Sequence, residues 1–146
     1  MTADECREWL TRQLPEASVV ASWGETGWFC NPGRVKPRGV YVATLKDKDG
    51  ANDRASHLDR PGVYRLNLGI PPKLYETQFG PRPARPPAGG VVEVPFDFTA
   101  TGVLTPHPVY AWMGWVSMVC PHPDQLPLLE SLLEYAWEFA SKKASK

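Results

Sequence analysis

The chain has 146 residues, with 16 Lys+Arg against 16 Asp+Glu and no net charge. That length suits one domain with a real core, and the charge balance removes the electrostatic case for nucleic acid or an anionic membrane as partner. Three cysteines, Cys6, Cys30 and Cys120, lack framework spacing, which argues against a disulfide scaffold. With no apolar run of signal-peptide or membrane-spanning type, the expected location is the cytoplasm, in reducing conditions.

Thr2-Ala-Asp-Glu5 is a capping-box pattern, and Cys6, Trp9, Leu10 and Leu14 follow at helical spacing. A first helix therefore runs to about Leu14 and stops at Pro15. Ser18 to Trp23 is β-rich. Gly24 and Gly27 bracket a short turn, Trp28-Phe29-Cys30 resumes extended chain, and Asn31-Pro32-Gly33 closes the hairpin. Gly39 to Leu45 is the next strand.

Residues 46–60 are the most polar stretch. Asp47, Asp49, Asn52 and Asp53 invite a calcium reading, but the glycine comes too early and no glutamate closes the loop. A solvated turn followed by one short helical turn around Ala55 is the simpler expectation. Val63 to Leu68 alternates, with Tyr64, Leu66, Leu68 and Ile70 on one face and Val63, Arg65 and Asn67 on the other. Arg65 and Asn67, two apart, suit an anionic or amide-bearing ligand. They suit equally an exposed sheet face, or an internal salt bridge to Asp59 or Asp53. Pro71-Pro72 opens a short helix that Gly80 ends. Residues 80–90 are expected to form a stiff, proline-rich surface loop of the kind that can serve as a lid. Val91 to Phe98 alternates again, as an edge strand because of Pro95.

Thr105 to Val119 is the densest stretch in the chain, with Tyr110, Trp112, Met113, Trp115 and Met118 behind the Pro106-His107-Pro108 clamp. Read with period two, Val109 to Val119 is apolar on both faces. The expectation is a central strand covered on both sides, which Gly114 interrupts where another group approaches closely. His107 then stands at the mouth of that strand. It is either a hydrogen-bonded strand-end residue beside core tryptophans, or the polar group of an aromatic pocket formed with Tyr110, Trp112 and Trp115. In the pocket reading His107 is the general acid/base candidate, because it titrates near neutral pH, and Arg65, Asn67, Tyr110, Trp112 and Trp115 bind the ligand. Finally, Asp124 caps a long helix in which Leu126, Leu129, Leu133, Ala136 and Ala140 form one stripe. Leu128, Leu132, Tyr135 and Phe139 form a second beside it, and Glu130, Glu134 and Glu138 face solvent. Ser141 to Lys146 is a frayed tail.

No zinc spacing, phosphate loop, dinucleotide fingerprint or serine-hydrolase motif is present, so neither a metal nor a cofactor is called for. The fold expected is α+β, a single domain over residues 1–146. It has one antiparallel sheet of about five or six strands with the N- and C-terminal helices packed on it.

Two blocks carry a resemblance. The first is Trp28-Phe-Cys-Asn-Pro, Gly39-Val-Tyr-Val-Ala-Thr, Asn52-Asp-Arg-Ala-Ser and Asp59-Arg-Pro-Gly-Val-Tyr-Arg-Leu-Asn-Leu-Gly69. The second is Pro106-His-Pro-Val-Tyr-Ala-Trp-Met-Gly-Trp115. Over nearly the whole chain they resemble a bacterial family of short domains of unknown function, which implies no catalytic residue. The element order is also similar to the MmcQ/YjbR-like proteins and to small domains labelled luciferase-like, which implies an antiparallel α+β build. Because the MmcQ/YjbR-like fold has been likened to double-wing DNA-binding modules, nucleic-acid binding is the rival expectation. The neutral charge and the lack of a basic helix depart from it. The leading expectation is a small-molecule-binding domain of bacterial metabolism with acid/base potential, monomeric or dimeric through exposed aromatics.

Overall fold

The computed structural model describes residues 1–146. Its order is α1 (Ala3–Gln13), β1 (Ser18–Ser22), β2 (Glu25–Cys30), β3 (Val40–Lys46), β4 (Arg65–Leu68), α2 (Pro72–Phe79), β5 (Leu104–Pro106), β6 (Val116–Val119) and α3 (Leu126–Ala144). The six strands form one antiparallel sheet in the order β1-β2-β3-β4-β6-β5. The architecture is α+β, with the terminal helices packed on the sheet. No helix is long and apolar enough to cross a membrane.

The capping box forms as its residues dictate: Glu5 N–H donates to Thr2 Oγ1 at 3.1 Å, and Thr2 N–H donates to Glu5 Oε1 at 2.9 Å. It starts a helix that buries Cys6, Trp9 and Leu10. Residues opposite one another on paired strands share a face, so the register sorts the sheet into two. One face carries Leu45, Leu66, Met118 and Leu104 in one row and Trp28, Ala43, Leu68 and Val116 in the next. The helices cover this face. α3 lays Leu129, Leu132, Leu133, Ala136 and Ala140 into the core, and Trp28 Nε1–H reaches Thr11 Oγ1 of α1 at 3.3 Å. The other face carries Gly27, Thr44, Asn67, Ser117 and Thr105 in one row and Glu25, Lys46 and Arg65 in the next. Loops cover it, and it holds the site described below.

Several sequence expectations are corrected. Val109 to Val119 is not one strand. Only Val116–Val119 joins the sheet, between β4 and β5. Before it the chain makes a 3-10 turn (Ala111–Met113), so that β5, this turn and β6 form a hairpin. The turn ends on Gly114 at φ 97°, with Pro72 Cα only 3.1 Å from where a Cβ would lie. Conformation and close approach both demand glycine there. Pro106 does sit in a strand, but at the sheet edge, where its missing N–H costs little. His107 N–H extends the pairing to Trp115 O at 3.0 Å.

Residues 91–98 keep their alternating burial, yet form no strand. Their tie to the sheet region is Val92 N–H to Pro108 O at 2.8 Å, and Phe96 packs edge-on against Phe79 of α2. Side-chain packing on α2, rather than a ladder, sets the period. The first hairpin turns at Trp23-Gly24, and Gly27 lies inside β2. The 46–60 loop contains turns and a Gly50–Asp53 bridge, without a helical turn at Ala55. α3 is entered through a 3-10 turn at Pro123–Gln125 rather than capped by Asp124, and it stays helical to Ala144. Its second apolar stripe is half exposed at Leu128 and Tyr135, so the buried face is narrower than the sequence suggests.

Candidate functional site

The site grows from Arg65. It lies on the loop-covered face and is 1 % exposed. A guanidinium that deep must be paired, and the polar 46–60 loop supplies the partner. Arg65 makes a two-pronged pair with the Asp53 carboxylate, and its Nη1 also donates to Ser56 Oγ at 2.9 Å. Of the alternatives open from the sequence, the internal salt bridge to Asp53 is the one formed. Arg65 Nε–H donates to Asn67 Oδ1 at 2.7 Å, which also accepts from Ser117 Oγ at 2.7 Å. Asn67 Nδ2–H then donates to Thr44 Oγ1 at 2.9 Å. The bonds from Arg65 to Asn67 and from Asn67 to Thr44 point one way, from the guanidinium outward, so the first polarises the second. The relay ends on a hydroxyl whose own proton is free to donate.

Thr44 lines a cleft of about 290 Å³, together with Glu25, Tyr41, His107, Tyr110, Met113 and Trp115. The hairpin positions four of these, His107, Tyr110, Met113 and Trp115. Trp115 packs against Gly69, whose missing Cβ leaves room for an indole atom 2.8 Å from the would-be carbon. Tyr110 and His107 sit with ring centroids 5.0 Å apart, and His107 and Trp115 are perpendicular at 6.3 Å. From β3, Tyr41 meets Trp115 edge-on at 6.3 Å and rests on Phe29 at 4.3 Å.

His107 is 3 % exposed. Its Nδ1 accepts two backbone N–H bonds, from Val109 and Tyr110, both at 3.0 Å. Two donors at that atom leave no place for a proton there, so the neutral ring carries its proton on Nε2. Burial, then the charges of Arg65 and Lys46, hold the imidazole well below its ordinary value. At neutral pH the ring is therefore a hydrogen-bond donor rather than a reservoir of acidic protons, which changes the part foreseen for it. Glu25 is shifted the opposite way. Burial raises its carboxyl above the ordinary value, Asp53 adds to the rise, and Lys46 and Arg65 oppose it. In both groups burial favours the uncharged form, and titratable groups perturbed in this way inside a cleft are candidates for chemistry.

The sequence-derived candidates thus divide. His107, Tyr110 and Trp115 meet in the cleft. Arg65 and Asn67 lie beneath it, spent on internal bonds. Trp112 points elsewhere: Arg85 stacks on its ring at 4.7 Å, and its carbonyl accepts from Arg82 Nη1 at 3.1 Å, which fastens the 80–90 loop. Glu25, Tyr41 and Thr44 were not foreseen. The available signal was Thr44, a hydroxyl inside the apolar run of β3, which had to be answered by a polar partner. No group of three or more His, Cys, Asp or Glu side chains is gathered as a metal site would need. Larger grooves exist, among them one of about 1160 Å³ along residues 15–20 and 30–38. No buried polar relay ends in them.

Two kinds of comparison with known proteins return nothing: no curated protein and no solved structure matches the chain. One family model does match, over residues 1–146, described as a family of unknown function (DUF6194).

Proposed function

The chain belongs to DUF6194 over its whole length, and since that membership brings no known activity, we propose from the geometry that this is a small-molecule-binding domain whose ligand occupies the cleft at His107 and Trp115. One observation carries the reading: where the walls are aromatic, hydrogen-bonding capacity is left unspent. The His107 Nε2–H, the Thr44 hydroxyl proton and the Glu25 carboxylate all belong to side chains lining this cleft. Few, convergent polar groups among aromatic walls are what a small-molecule site offers. If the domain is an enzyme, Glu25 is the group that carries the proton, and neutral His107 is the donor that steadies developing negative charge.

A fragment screen read by nitrogen-edited NMR tests this, with the Trp115 indole N–H assigned through Trp115→Phe. Hits that move the Trp115 signal and compete with one another support the cleft. Hits that gather along residues 30–38 and leave Trp115 unmoved would overturn it.

The same reading places the domain in the cytoplasm, in keeping with three cysteines held as thiols. A nucleic-acid module of MmcQ/YjbR-like type draws support from the helix-flanked antiparallel sheet alone, and a net charge of zero weighs against it. Absence of a DNA mobility shift at low salt disposes of it.

A further inference from the structure

The donors and acceptors of the cleft are specific enough to name a ligand class. The protein atom bonded nearest to His107 Nε2 is Arg65 Nη2, at 3.5 Å. With Nδ1 filled by two backbone donors, both of these nitrogens carry protons toward each other, so neither satisfies the other. The imidazole, nine-tenths and more buried, thus presents an N–H with no protein acceptor. Such a group is rare and calls for an explanation. Thr44 offers a second donor, because its lone pair already takes Asn67 Nδ2–H. Glu25 offers the acceptor: lysine, arginine and aspartate act on its carboxyl through space, and no hydrogen bond contributes.

Charge narrows the choice. Lys46 and Arg65 balance Glu25 and Asp53 around the cleft, so no net field favours an ion. An alkylammonium would enjoy Tyr41, Tyr110 and Trp115 as a cage, but it would sit against the protons of His107 and Thr44. A carboxylate would satisfy those protons but would meet Glu25. An uncharged ligand holding an acceptor and a donor side by side satisfies both.

Resting on the small-molecule reading above, we infer that the cleft binds a flat, uncharged heterocycle with adjacent C=O and N–H groups, a cyclic amide. Its carbonyl accepts from His107 Nε2–H and Thr44 O–H, its N–H donates to the Glu25 carboxylate, and its ring lies among Tyr41, Tyr110 and Trp115.

The test uses the unmodified protein and four probes: carbostyril, a bicyclic lactam; N-methylcarbostyril, which keeps the carbonyl but has no N–H; quinoline, which has neither; and tetramethylammonium. Binding is read from the Trp115 indole and the His107 Nε2–H signals. Loss of one hydrogen bond to a charged acceptor predicts that N-methylcarbostyril and quinoline bind at least about tenfold more weakly than carbostyril, and that the two carbonyl probes, at saturation, displace the His107 proton signal while quinoline does not. Equal binding of the three aromatics would overturn the lactam assignment while leaving the cleft as a site. So would tetramethylammonium as the tightest probe. If none of the four moves Trp115, the lactam assignment falls. The cleft itself falls with it only if the broader fragment screen is also silent there.

Discussion

On the helix side of the sheet, one row crosses four strands as Leu45, Leu66, Met118 and Leu104. One residue along, on the loop side, the row reads Gly27, Thr44, Asn67, Ser117 and Thr105, and the next reads Glu25, Lys46 and Arg65. Most of both sets is buried. The apolar set gains from leaving water. The polar set, by contrast, carries a desolvation cost that its internal bonds only offset. A fold built for stability alone would have made both faces alike. The loop side instead holds a guanidinium in the interior, pairs it with Asp53, Ser56 and Asn67, and through Asn67 orients Thr44 toward a cleft.

The largest effects should come from breaking the polar face at its root. Arg65→Ala leaves Asp53, Asn67 and Ser56 without their partner and should cost roughly 3–5 kcal/mol in chemical denaturation. Replacing the pair together, Arg65→Met with Asp53→Leu, should recover most of that loss, since buried ion pairs are often no better than apolar substitutes. Yet it should weaken cleft binding, because Thr44 loses its orientation. A double variant that stays as unstable as Arg65→Ala would mean the network serves folding first. On the other face, Leu66→Ala should cost about 2–5 kcal/mol and leave affinity per folded molecule unchanged. If affinity falls with it, the two faces are not separable.

A smaller effect should appear in the pH dependence. His107 takes up a proton less readily folded than unfolded, so its contribution to stability is complete above about pH 6.5 and is lost as pH falls toward its depressed folded value. Glu25 works in reverse. Its folded value is raised above 4.5, so stability declines as pH rises through that window. The acid-side loss should flatten in His107→Asn, which retains an acceptor for Val109 and Tyr110 N–H, and Glu25→Gln should remove the opposing slope. Denaturation midpoints measured across pH on the three proteins separate these contributions. An unaltered acid limb in His107→Asn would contradict the burial argument.

The helix face was legible in the sequence because its signals are local: the capping box at Thr2 and Glu5, the alternation at Tyr64, Leu66 and Leu68, and the α3 stripe all survive. The polar face was half legible. The need for Asp53 beside Arg65 could be stated, since a charge two residues from an apolar strand core requires a partner. That Thr44 and Glu25 join them could not, because three strands and a loop must first be set in register. The apolar run at 109–119 misled because period two cannot distinguish a strand from a turn that buries its rings against neighbours. The left-handed backbone at Gly114 is what breaks the strand there. Residues 91–98 misled for the same reason, with α2 supplying the period.

The central claim is that His107 stands neutral with an unspent Nε2–H lining the cleft. Nitrogen-edited NMR of its ring, recorded across pH with and without a fragment bound, tests it most directly. The account predicts a single neutral Nε2–H form, no titration near pH 6.5, and an Nε2 proton that shifts when the cleft is filled. A ring that titrates at its ordinary value, or carries its proton on Nδ1, or ignores the bound fragment, would contradict it.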